Sequence, residues 1–177
     1  MLKIYDTQQK PLTYDEFHKL YDIVIAAYAN TELEVWGPNY VRVSKEDYRQ
    51  CIEDNEILYA MLDGEVVGGV RCFELRPQVW TFTLLGADFS HKGKGIGKAL
   101  IDAVEARAIQ FKAKSIHIEV LRAEKIDVAS KKILAEWYAR LGYQFVKTID
   151  VFEVYDDPVK WSKLVNPSVF DCYLKQF

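Results

Sequence analysis

Lys92-Gly93-Lys94-Gly95-Ile96-Gly97-Lys98 stands between two runs of different period. Before it, Val79 to Ala87 is rich in aromatic and β-branched residues and reads as a strand. After it, Ile96, Leu100, Ala103, Val104 and Phe111 fall on one stripe at the spacing of a helix. The first N–H groups of a helix lack intrahelical partners, and the dipole is positive there, so an anion is welcome. Glycines let a diphosphate approach the backbone closely. Lys92, Lys94 and Lys98 add positive charge. The stretch implies a diphosphate held largely by backbone amides.

Two common diphosphate motifs do not fit. A Walker loop ending in Gly97-Lys98 would need glycine at Lys92 and a hydroxyl residue at Ala99. A dinucleotide fingerprint would need glycine at Lys98 or at Leu100.

Working outward, Thr13 and Glu16 have capping-box spacing, followed by Phe17, Leu20, Tyr21, Val24 and Tyr28 at helical intervals. A loop is expected from Asn30 to Val43, then a second helix opened by Ser44 and Asp47 and running to about Asp54. Ile57 to Leu62 and Glu65 to Leu75 read as strands joined by Asp63-Gly64, a strong hairpin signal. Beyond the glycine turn the pattern predicts a strand from Ser115 to Leu121 and a helix from Val128 to Leu141 closed by Gly142. It continues with mostly strand from Tyr143 to Tyr155, an irregular excursion from Asp156 to Pro167, and a strand from Val169 to Phe177. No repeat, low-complexity tract or Gly/Ser linker interrupts this order. The expectation is one domain over residues 1–177, of mixed α/β (α+β) class, with a largely antiparallel central sheet and helices on both faces.

Half of the 177 residues are hydrophobic, enough for a sizeable core. A formal charge of −3 gives no field favouring nucleic acid or an anionic membrane. Cys51, Cys72 and Cys172 are odd in number and far apart, so they read as reduced thiols of a cytoplasmic protein. His18, His91 and His117 are too scattered for a helical zinc motif, and no metal is expected. The N-terminus lacks the apolar run of a signal peptide, and no stretch approaches the ~20 apolar residues of a membrane span.

Lys92-x-x-Gly95-x-Gly97 resembles the coenzyme A turn of the GCN5-related N-acetyltransferases (GNAT), Arg/Gln-x-x-Gly-x-Gly/Ala, with Lys in the first position. Trp137-Tyr138-Ala139-Arg140-Leu141-Gly142-Tyr143 resembles the aromatic-Tyr-x-x-Leu-Gly-Phe segment of that superfamily. The flanking strand and helix are similar too, so the resemblance covers most of the chain. It implies a single N-acetyltransferase domain that moves acetyl from acetyl-CoA directly to an amine of a small molecule or protein. It places the cofactor in a V between two splayed strands, Val79 to Ala87 and Ser115 to Leu121. Backbone N–H groups of Leu85 and Ala87 would meet the thioester and pantetheine arm, and Lys92, Gly93, Lys94, Gly95, Ile96, Gly97 and Lys98 would meet the diphosphate. Tyr138 would protonate the departing thiolate, although it also fits a core stripe with Leu134, Trp137 and Leu141. Many relatives carry a base on the strand before the turn, where this chain has no acid. Glu119, on the other strand, is the favoured substitute, with Glu74 and Asp88 as alternatives. Where the superfamily often has Asn, seven residues before the tyrosine, this chain has Lys131. The charged stretch Arg122 to Ser130 either touches the cofactor's 3′-phosphate or is solvated.

A second reading is an acyl-CoA-binding sensor that has lost transfer. A third, nucleic-acid binding through the lysines of the turn, lacks interleaved aromatics. The expected partner is an amine acceptor of unread identity, without nucleic acid or membrane, and a homodimer is left open. Trp36, Tyr40 and Trp161 are candidates to wall the acceptor pocket, and Glu32 or Glu34 to bind an ammonium group.

Overall fold

A computed structural model describes residues 1–177. Thr13 caps as its spacing demands. Its hydroxyl accepts from the Glu16 N–H at 3.2 Å, and the Glu16 carboxylate accepts from the Thr13 N–H at 2.8 Å. Helix α1 follows, Tyr14–Thr31. The expected loop after it contains one helical turn, α2, Leu33–Trp36. The Ser44 hydroxyl accepts from the Asp47 N–H and opens α3, Lys45–Glu53.

Five N-terminal residues, Leu2–Asp6, form an unexpected strand, β1, at the sheet edge. Strands β2 (Ile57–Leu62) and β3 (Glu65–Arg76) meet at Asp63-Gly64, where φ is 51° and 90°. The double positive φ is what this hairpin turn requires. Then come β4 (Val79–Ala87), a 3₁₀ turn (Phe89–His91) and α4 (Ile96–Gln110). Next are β5 (Ser115–Ala123) and α5 (Ala129–Arg140), which Gly142 closes at φ 92°. The predicted strand from Tyr143 is shorter than expected. It is β6, Gln144–Asp150, and the Asp150 side chain then caps the helical turn α6, Val151–Val154. A further turn, α7 (Pro158–Trp161), and β7 (Ser168–Gln176) complete the chain.

The seven strands lie in the order β1-β2-β3-β4-β5-β7-β6. All neighbours are antiparallel except β4 and β5, which are parallel and pair only at Val79–Ser115 and Trp80–Ile116. Beyond Trp80 the two strands part, and β5 goes on pairing with β7 as far as Ala123–Ser168. This mixed, largely antiparallel sheet is the expected fold class.

Helices cover both faces. On one, Leu100, Ile101 and Val104 of α4 pack with Ile116, Ile118 and Tyr138. On the other, Leu20 and Val24 of α1 pack with Tyr48 of α3 and Tyr59 of β2. A third, smaller cluster joins Trp36, Leu121, Trp161 and Phe170. Close approach needs small residues at two places. A Cβ on Gly86 would lie 3.0 Å from the Val24 Cα, and one on Gly68 would lie 2.9 Å from the Ile96 side chain. Helix α1 therefore sits tightly against the end of β4, and α4 against the neighbouring stretch of β3.

Candidate active site

The glycine turn is folded by its neighbours. Asp88 accepts from the Ser90 N–H at 2.9 Å and the Ser90 hydroxyl at 2.7 Å, which holds its carboxyl below the usual range. The Lys92 and Lys94 N–H groups donate back to Phe89 and His91. Gly93 and Gly95 take φ of 82° and 75°, a conformation that side-chain-bearing residues resist. The N–H groups of Gly93, Gly95, Ile96, Gly97 and Lys98 are left without a backbone acceptor at the start of α4. Five unpaired amides on a positive helix end are a built anion cradle. Lys92 and Lys94 are exposed beside it, whereas Lys98 is tied to Asp102 at 2.6 Å.

Strand β4 supplies further amides. The Asp88 N–H donates to the Val67 carbonyl at 2.9 Å, so by alternation the Ala87 N–H points away from β3, into the V. At Leu84 and Leu85 the strand bulges. Thr83 pairs with Arg71 and Gly86 with Gly69, so two residues face Val70 alone, and Leu84 has φ 52°. Tyr28 stands beside the bulge, and burial, then Glu32, pushes its hydroxyl up to about 12 against the lowering effect of Arg42.

Two cavities meet in the V. One, of about 160 Å³, is lined by Leu85, Ile118, Val120 and Tyr138, with Tyr28 of α1. The other, of about 620 Å³, is walled by Asp47 and Asp54 of α3, by Arg71 and by Tyr155. Arg42, Thr83, Glu119 and Phe170 line both, which puts them at the passage between the two.

Tyr138 is buried among the rings of Phe82, Trp137, Tyr143 and Tyr173, and it also lines the smaller cavity. Packing and cavity lining therefore coexist in one side chain. Burial, then the nearby Tyr28 and Tyr173, raises its pKa, which keeps the hydroxyl protonated. Glu119 accepts from the Tyr155 hydroxyl at 3.1 Å and lies 3.5 Å from His117 Nε2. It faces Cys172 across the β5–β7 register, and the ligating atoms of His117, Glu119 and Cys172 come within 4.8 Å of one another. The other two candidate bases are elsewhere. Glu74 is exposed and closes the β3–β4 turn by accepting from the Gln78 N–H, while Asp88 holds the glycine turn.

The acetyltransferase (GNAT) family model matches residues 17–143. The chain belongs to this family. No curated protein sequence matches it. The ribosomal-protein-alanine N-acetyltransferase structure from Brucella melitensis has TM-score 0.69 at 19% identity, covering 99% of each chain. A GNAT acetyltransferase from Elizabethkingia anophelis, solved with acetyl-CoA bound, has TM-score 0.66 at 15% identity, covering 99% of this chain and 98% of that one. A GCN5-related N-acetyltransferase from Kribbella flavida has TM-score 0.67 at 14% identity, with coverage of 99% and 98%. These identities establish a shared fold. Acetyl-CoA is the acyl donor that family membership brings, and the free amides of the turn fit its diphosphate.

Within this GNAT fold several expected residues take other places. Trp36 and Trp161 are buried, stacked 6.0 Å apart in the third cluster, and so brace the loop instead of lining either cavity. Tyr40 stacks on Trp36 at 4.2 Å. Glu32 is buried and accepts from Trp36 Nε1 at 2.8 Å, and the Glu34 carbonyl accepts from Asn166, so neither carboxylate faces the large cavity. Arg122 is paired with Asp171 at 2.6 and 3.1 Å. Lys131 lines the smaller cavity, half-buried, with its pKa lowered first by burial. Sequence reasoning missed Arg42, Thr83 and Tyr155. They enter the site through tertiary packing, and nothing in their local spacing marks them.

Proposed function

We propose that this domain transfers an acetyl group from acetyl-CoA directly to an amine of a small molecule or protein. The supporting observation is the meeting of two cavities at Glu119 and Thr83, with amides on the donor side and carboxylates on the other. The amides of Gly93, Gly95, Ile96, Gly97 and Lys98, with Lys92 and Lys94, hold the diphosphate. The Leu85 and Ala87 N–H groups hold the pantetheine arm and the thioester carbonyl. Such donors, aimed where negative charge develops, contribute roughly 3–4 kcal/mol each to a transition state.

Glu119 takes the proton from the incoming ammonium, directly or through one water, because only the neutral amine attacks a thioester. Tyr155 orients its carboxylate through the 3.1 Å bond. Tyr138, kept protonated by burial, donates a hydrogen bond to the departing thiolate, and the proton that the nitrogen loses on forming the amide ends on that sulfur. A broad panel of amines with acetyl-CoA, followed by release of free thiol, tests this reading. The expected outcome is amine-dependent release with acetyl found on the amine nitrogen. Tight acetyl-CoA binding with no acceptor turned over would contradict transfer and leave a sensor.

A further inference from the structure

Three cations around the passage make no side-chain hydrogen bond to any of the carboxylates there. Arg42 lines both cavities, and its Nε is buried without a hydrogen-bond partner. The carboxylate nearest to it, Glu32, stands 3.7 Å away and is already bound to Trp36 Nε1 at 2.8 Å. Lys160 lines the large cavity, and its ammonium lies over the rings of Trp161 at 5.0 Å and Tyr155 at 5.9 Å. Asp157 does not neutralise it directly, since that carboxylate caps α7 by accepting from the Lys160 backbone N–H at 3.0 Å. Burial and the neighbouring Arg42 both lower the Lys160 pKa, so the two cations feel one another. Lys131 lines the donor-side cavity with Arg42 and Glu32. Arg42, Lys160 and Lys131 thus each lack a hydrogen-bonded carboxylate, although Glu32 and Glu119 line the same walls. Of the remaining charges of the large cavity, Glu119 accepts from Tyr155, Arg71 is paired with Glu56 at 2.6 Å, and Asp47 and Asp54 lie on and at the end of α3.

Cations in a half-buried wall are costly where no carboxylate is hydrogen-bonded to them, and a ligand anion can supply that bond. A guanidinium with a spare donor edge suits a carboxylate or a phosphate. We propose that the acceptor is a small amine that also carries a carboxylate or phosphate, seated on Arg42 and Lys160 with its nitrogen towards Glu119. This rests on the acetyl-transfer reading and narrows its substrate class.

Matched pairs of acceptors test it. One arm compares α-amino acids with their methyl esters, and the other compares an amino sugar with its 6-phosphate, each under saturating acetyl-CoA. The member bearing the anion is expected to show kcat/KM about 10-fold or more above its neutral counterpart, and the arm with the larger ratio identifies the anion. Lys160→Gln, at the rim, and Arg42→Lys should each raise KM for the anionic member by roughly 10- to 100-fold, the range for a lost charge-assisted bond. The ratio within each pair then falls towards one. Calorimetric titration of the same pairs onto the CoA-bound protein gives an answer that does not depend on turnover. Transfer to neutral or dicationic amines in preference to anionic ones would overturn the inference while leaving acetyl transfer intact. Absence of any anionic preference in the titration would overturn it as well, even where no amine is acetylated. Loss of acetyl-CoA binding by the unsubstituted protein would strike at the underlying reading instead.

Discussion

Two side chains carry the proposed chemistry, and each makes a separable prediction. Tyr138→Phe removes a hydroxyl from a packed ring and leaves the ring in place. Acetyl-CoA affinity should stay within about threefold of the original, while kcat falls about 10–1000-fold, the span for acid catalysis. Equal turnover would make Tyr138 a packing residue only. Its raised pKa also means that the alkaline limb of the rate profile does not come from Tyr138 at ordinary pH. Glu119→Gln should act differently. An amine with pKa near 10 is almost all ammonium at pH 7, so a base matters most at low pH. The variant should lose most rate near pH 6–7 and least near pH 9, where free amine is more plentiful. A loss independent of pH would instead assign Glu119 to orienting Tyr155 and the acceptor. The sequence placed Glu119 on the correct strand without giving its side-chain direction. A one-residue slip reverses the face, and only the register with Cys172 decides it.

At the scale of elements, the site is made where β4 ends and α4 begins. Gly68→Ala tests that junction, because the added Cβ would meet the Gly86 carbonyl at 2.8 Å and Ile96 at 2.9 Å. We expect a loss of about 1–3 kcal/mol in stability, as for overpacking elsewhere, together with weaker acetyl-CoA binding as the α4 N-terminus shifts. Denaturant melts and titration of the same variant check both, and an unaltered melt would show that the junction has slack. Local signals made most of these elements legible. Thr13, Ser44, Asp63-Gly64 and Gly142 act within a few residues of themselves, and each marks the boundary it was read to mark. The glycine turn was legible for the same reason. The parting of β4 from β5, the bulge at Leu84 and the arrival of Arg42 and Tyr155 were not legible, since they depend on pairings between distant segments. The edge strand Leu2–Asp6 was missed because five residues with one sheet neighbour carry little pattern. The strand expected through Tyr155 stops at Asp150 because that side chain accepts from the Phe152 N–H, a capping bond that competes with extended structure.

For the whole molecule, burial of titrating groups sets how stability and reactivity vary with pH. Burial raises the pKa of Tyr48, Tyr138 and Tyr143 above the unfolded value of about 10. The folded state keeps protons that the unfolded chain gives up, so this contribution is complete below pH 10 and is lost as pH rises beyond it. Tm should change little on this account between pH 7 and 9 and decline above pH 10, and a Tm that held level to pH 12 would contradict it. The three free cysteines are buried, with burial pushing Cys72 up to about 11. The native protein should therefore react slowly with thiol reagents and not compete in a thiol-release assay. No helix is long and apolar enough to cross a membrane. The central claim is that the turn from Lys92 to Lys98 holds the diphosphate of acetyl-CoA beside the V. Titration of acetyl-CoA into the protein and into Gly95→Asp tests it most directly, since the aspartate puts a side chain and a negative charge among the free amides at a position of φ 75°. The account predicts micromolar binding, with a stabilisation of ~2.7 kcal/mol at ~100 times Kd, and its disappearance in a variant that still melts cooperatively. Undiminished acetyl-CoA binding by a folded Gly95→Asp protein would contradict it.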